Sequence, residues 1–118
     1  MRSLIVALMF SVLCFGAPVQ EPEEAPSGDS DRGRSLFNDR GCYQCHNYDA
    51  SGSVAGAQLT PDPIPFGAFS RYVREPSGQM PPYTRNVLSE GELADIYAYL
   101  LSIPGPPPLD SIPVLNED

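Results

Sequence analysis

The sequence is poor in the residues that metal clusters and polyanion-binding surfaces need. It has one histidine, three cysteines and no tryptophan, and all seven of its basic residues are arginine. Set against 15 acidic residues, that leaves a net charge of −8. A chain this acidic is poorly suited to nucleic acid or to an anionic membrane surface. Long apolar runs are missing too. The longest, Leu4 to Phe15, has about a dozen residues, too few to cross a hydrocarbon core of roughly 30 Å as a helix. No internal repeat is visible, and strand signals are weak everywhere.

What is present begins with a processing segment. Arg2 supplies a positive start, the apolar run follows, and Gly16 and Ala17 are small. We read residues 1–17 as a signal peptide, with an uncleaved membrane anchor as the alternative. Export places the mature chain in the periplasm or otherwise outside the cytoplasm, with no stable membrane insertion after cleavage. Cys14, Met1 and Met9 leave with the segment, and loss of Arg2 takes the charge from −8 to −9. Residues 18–28 are Pro- and Glu-rich and read as a flexible leader. Residues 104–118 form a Pro-rich tail in which Leu109, Ile112, Val114 and Leu115 are able to lie on the domain. The domain itself spans 29–103.

Three helices are predicted inside it. The first runs from Ser30, taken as its N-cap, to Asp39, with Gly41 as the stop. The second covers Phe66 to Arg74, with Phe66, Phe69 and Val73 on one stripe and Pro76 beyond its end. The third starts at Ser89-Glu90-Gly91-Glu92, a capping box, and carries Leu93, Ile96, Tyr97 and Leu100 at helical spacing. Asn47 to Pro65 reads as loop. Three short helices and a long loop bury too little apolar surface to stand alone, which favours a cofactor at the centre.

Cys42-Tyr43-Gln44-Cys45-His46 is a C-x-x-C-H run. Two thiols at this spacing can each form a thioether to one edge of a haem, with the adjacent imidazole beneath the ring as an axial ligand. Three other readings compete. A thioredoxin-like pair wants a strand before the motif and a long helix after it. A zinc site wants further Cys or His ligands, and the mature chain has none. A structural disulfide leaves His46 and the thin core unexplained. One covalently bound haem c is the reading that accounts for all of these residues. For the iron's other face Met80 is the candidate ligand; it stands in Gly78-Gln79-Met80-Pro81-Pro82-Tyr83, where two prolines stiffen the loop. The competing role for Met80 is core filling.

These residues resemble the class I c-type cytochromes, in particular small bacterial monohaem domains. The likeness rests on Gly33 with Leu36-Phe37, on Cys42-Tyr43-Gln44-Cys45-His46, on Met80-Pro81-Pro82-Tyr83, and on Leu88-Ser89 with Glu92 to Leu100. It implies an all-α, cytochrome c-like fold of three to four short helices around one covalently bound haem. It implies that the first and last helices cross at Gly33, with Phe37 near Ile96 and Tyr99. It also implies cofactor binding by Cys42, Cys45, His46 and Met80, with His46 and Met80 on the metal. Where the family often has Gly-Pro-x-Leu, this chain has Gly56-Ala57-Gln58-Leu59, so the carbonyl of Ala57 is left to hold His46. Arg71, Arg74, Arg85, Tyr48 and Tyr83 are candidate partners for the haem propionates.

No second catalytic constellation is present. The expected role is therefore single-electron transfer to redox protein partners, not enzymatic turnover. It would act as a free carrier or as the haem subunit of a periplasmic dehydrogenase or oxidase. A gas-binding or peroxidase-like haem protein is the remaining alternative, and it requires an open sixth site.

Overall fold

A computed structural model of the chain describes residues 24–113. The expected signal peptide, most of the leader, and Val114 and Leu115 lie outside the described residues. Within them the elements in order are α1 (Ser30–Asp39), α2 (Tyr43–His46), α3 (Phe66–Arg74), α4 (Glu90–Ser102) and a 3-10 turn at Leu109–Ser111. No strand occurs among the described residues. No helix there is long and apolar enough to cross a membrane. The fold is the expected all-α one, cytochrome c-like in its order of helices.

The frame is the crossing of α1 and α4. Gly33 is buried, and a Cβ there would fall inside the van der Waals envelope of the Asp95 carbonyl and 2.9 Å from the Ile96 nitrogen. Only glycine lets the two backbones come this close. The expected crossing is thus present. Phe37, 1% exposed, packs at a tilt on Tyr99 with ring centroids 5.6 Å apart. Asp95, also 1% exposed, accepts from the Asp29 backbone N–H (2.8 Å) and from the Arg32 guanidinium. These bonds hold its carboxyl below the usual carboxylate range, the Arg32 bond most of all.

One terminus differs from expectation. The N-cap of α1 is Asp29, whose carboxylate accepts from the Arg32 N–H at 2.9 Å, so Ser30 is the first helical residue. The reason is tertiary. The Asp29 N–H is already held by Asp95, which turns the Asp29 side chain towards the orphan donors of the helix start. The stop is as expected: Gly41 adopts φ +79° after the last turn.

In α4 the expected capping box is complete, with the Ser89 hydroxyl accepting from the Glu92 N–H and the Glu92 carboxylate accepting from the Ser89 N–H. This pair, with Arg40 at 2.8 Å, holds the Glu92 carboxyl down at about 2. The apolar stripe of α3 meets α4 through aromatics: Phe66 and Phe69 each lie 5.3 Å from Tyr97 by ring centroid. In the tail, Leu109 does not lie down on the domain. It is 73% exposed, whereas Ile112 is half-buried.

Candidate haem-binding site

Between this frame and the loops is a cavity of about 540 Å³. Its floor is core: Phe37, Leu88, Leu93, Ile96 and Leu100 from α1, α4 and the segment before α4. Cys42, Cys45, His46 and Met80 all line it, so the fold brings the four candidate residues together.

The Cys motif reaches the cavity through an element that the sequence patterns do not reveal. After Gly41 reverses the chain, the Cys42 N–H bonds the Phe37 carbonyl (3.0 Å) and the residues that follow close into the single turn α2. That turn is too short for any apolar periodicity to betray it. Cys42 is largely desolvated, and burial pushes its thiol up to about 11. No disulfide joins Cys42 to Cys45.

His46 ends α2, and its Nδ1 lies 2.7 Å from the carbonyl oxygen of Ala57. A carbonyl only accepts, so Nδ1 carries a proton, and Nε2 is the nitrogen left for a metal. This is the bond expected of Ala57 despite the missing proline. Stiffness comes from the loop's own hydrogen bonds instead. The Ser53 hydroxyl donates to the Cys45 carbonyl (2.6 Å) and the Ser53 N–H to the Gly56 carbonyl (2.8 Å). Gly56 lies so close to Cys45 that a Cβ would sit 2.7 Å from its carbonyl oxygen.

Met80 is half-buried against the core on the loop between α3 and α4. Tyr83 fastens that loop: its N–H bonds the Val73 carbonyl (3.0 Å) and its hydroxyl donates to the Arg40 carbonyl (2.8 Å). Arg74 donates from Nη1 to the carbonyls of Tyr83 and Leu88, each at 2.7 Å.

None of the three arginines named as candidate propionate partners lines this cavity. Arg71, Arg74 and Arg85 surround a separate pocket with Glu90, and Arg74 and Arg85 both pair with that carboxylate. The helical period explains it: Phe69, Tyr72 and Val73 face the cavity, which puts Gly67, Ser70, Arg71 and Arg74 on the opposite side of α3. Tyr48 is also off the cavity, stacked on Tyr43 at 4.5 Å and 66% exposed. Tyr83 does line it, with its hydroxyl committed to Arg40. Tyr72 was missed. It lines the cavity and donates to the Ser77 carbonyl at 2.8 Å. Its spacing of three from Phe69 would have found it.

The chemistry of this donor set suits a haem. Apolar walls, an imidazole whose Nε2 is not tied to the protein, a thioether and two cysteine side chains share one cavity. A cluster of three or more His, Cys, Asp or Glu side chains able to hold a metal does not occur among the described residues, which disfavours the zinc reading. The strand that a thioredoxin-like site needs is absent there as well.

Fold and donor set together define a c-type cytochrome domain, a haem-binding module of electron transfer. Residues 28–100 match the family model described as cytochrome c oxidase, cbb3-type, subunit III, and the chain belongs to that family. Comparison with curated proteins and with solved structures returned no match.

Proposed function

We propose that this chain is an exported monohaem cytochrome c that passes single electrons to a respiratory partner. Cys42 and Cys45 hold the cofactor through thioethers, while His46 and Met80 ligate its iron. When bound, haem c supplies one-electron exchange between Fe(III) and Fe(II), and His/Met ligation favours a raised potential. The protein's part would be to hold both ligands, His46 and Met80, in place. The Ala57 carbonyl fixes the tautomer and orientation of His46, and the pinned loop presents a weak thioether ligand at a set place. The single observation that carries the reading is the His46–Ala57 bond on the cavity that Met80 also lines.

The family match supports a role as the haem subunit of a respiratory oxidase over that of a free carrier. The partner is then an oxidase complex facing the periplasm, where any substrate chemistry resides. The test of ligation is the visible spectrum of the holoprotein before and after Met80→Ala. Loss of the thioether-to-iron band is expected, and an unchanged spectrum would refute the assignment. Carbon monoxide should fail to bind the reduced wild-type protein; binding at neutral pH would favour a gas-binding role instead. Co-purification of an oxidase in fixed stoichiometry tests the partner.

A further inference from the structure

Arg74 is an expensive residue for a loop support. Its side chain is only 10% exposed, and its Nε is buried with no partner at all. Burying a guanidinium with an orphan donor is unfavourable unless the remaining donors are well used. They are. One nitrogen, Nη1, meets two main-chain carbonyls, Tyr83 and Leu88, at 2.7 Å each. The other, Nη2, meets Glu90 at 3.1 Å. These acceptors lie 9, 14 and 16 residues further along the chain, spread over the loop that leaves α3 and the start of α4.

The consequence concerns Met80. Its segment departs from α3 at Arg74, is held before Met80 at Ser77 by the Tyr72 hydroxyl, and after Met80 is next pinned at Tyr83, whose carbonyl Arg74 holds and whose N–H is held by Val73. Pro81 and Pro82 lie between Met80 and that anchor, so a displacement of Tyr83 is transmitted to Met80 along a stiff link. Glu90 plays a lesser part: it is 46% exposed and shared with Arg85.

Resting on the assignment of Met80 as axial ligand, we propose that Arg74 is a positioning residue for the iron site. By gripping the Tyr83 and Leu88 carbonyls it sets how much of the time Met80 stays on the metal. The backbone bonds do this, and the ion pair to Glu90 does not.

Added imidazole reads this directly in the oxidised holoprotein, because it binds only when Met80 has left. Its apparent affinity therefore scales with the fraction of molecules in the open form. Arg74→Leu is expected to tighten imidazole binding by about tenfold or more. Arg74→Lys, which keeps the stem and charge but lacks the fork, should fall between it and wild type. Glu90→Gln should bind as wild type. Wild-type imidazole affinity in both Arg74 variants overturns the proposal, even if they unfold at lower urea concentration. Should Arg74→Leu fail to fold, Arg74→Lys alone decides. Met80→Ala separates the two assumptions. If it tightens imidazole binding and the Arg74 variants do not, Arg74 has no such role; if it changes nothing, the ligand assignment itself fails. On the Met80→Ala background, Arg74→Leu should add no further gain, and a further gain counts against the proposal.

Discussion

Replacing Gly33 by alanine tests the helix crossing on which the cavity depends. In an open helix the change is favourable, since Gly is worse than Ala by roughly 0.5–1 kcal/mol. Here the added methyl would meet the backbone of Asp95 and Ile96, including the Ile96 nitrogen at 2.9 Å. Backbone cannot swing away as a side-chain tip can, so α1 and α4 must separate. Separation loosens the Phe37–Tyr99 contact and stretches the Asp29–Asp95 bond. Overpacking of this kind costs about 1–3 kcal/mol, and the rigid obstacle argues for the upper end. After the helix gain is subtracted, a net loss of about 2 kcal/mol is expected. Gly91, in α4, is the internal control, because a Cβ there meets nothing within 4 Å. Gly91→Ala should therefore stabilise by about 0.5–1 kcal/mol. Urea midpoints of the two holoproteins, with unchanged m-values, measure the contrast. If Gly33→Ala proves as stable as Gly91→Ala, the close crossing is not what the fold requires.

The acid limb of stability should carry the signature of Glu92. Its folded carboxyl sits at about 2, below the usual 4.5, so its contribution is full above about pH 4.5 and is lost as pH falls towards 2. Urea midpoints between those limits should fall less steeply for Glu92→Gln than for wild type. Asp95→Ala strips the Asp29 N–H of its acceptor but leaves Arg32, 63% exposed, free to be solvated. The loss should be about 1–3 kcal/mol by urea unfolding, short of the roughly 3–5 kcal/mol of a severed, fully buried pair.

Local signals were readable in the sequence and non-local ones were not. The Ser89–Glu92 box and the Phe66–Phe69–Val73 stripe depend on spacing within a few residues, and both stand as expected. The cap at Asp29 instead of Ser30 depends on Asp95, distant in sequence and brought close only by the crossing. Arg71 and Arg74 are candidate propionate partners by residue type alone, whereas the helical period sends both to the far side of α3 from the cavity. The turn α2 has four residues and no period to read. For the site, the C-x-x-C-H run, Met80 and the Ala57 carbonyl were all legible, and the structure gathers them at one cavity. The apparatus that holds Met80 was not legible, because it consists of main-chain carbonyls that any residue would supply.

That difference has a functional meaning. The side chains on the cavity would specify which group binds, whereas the backbone anchors around it would decide how firmly His46 and Met80 are kept in place as ligands. His46 is held from one loop through Ala57 and Met80 from another through Tyr83 and Arg74, each an independent support. The α1–α4 crossing is closed by direct backbone packing along two helices; the loops on the cavity side have such packing locally, at Gly56 against Cys45, and otherwise rely on scattered hydrogen bonds over an apolar space. A group that fills that space in the folded chain stabilises the native state at the expense of the unfolded one. Thioether attachment through Cys42 and Cys45, as proposed, would make that gain independent of free cofactor concentration, because the group would stay on the chain when it unfolds. A small domain with so thin a core would gain from such a tether for the same reason that it gains from the cofactor: both compensate for apolar contacts that its own side chains are too few to make.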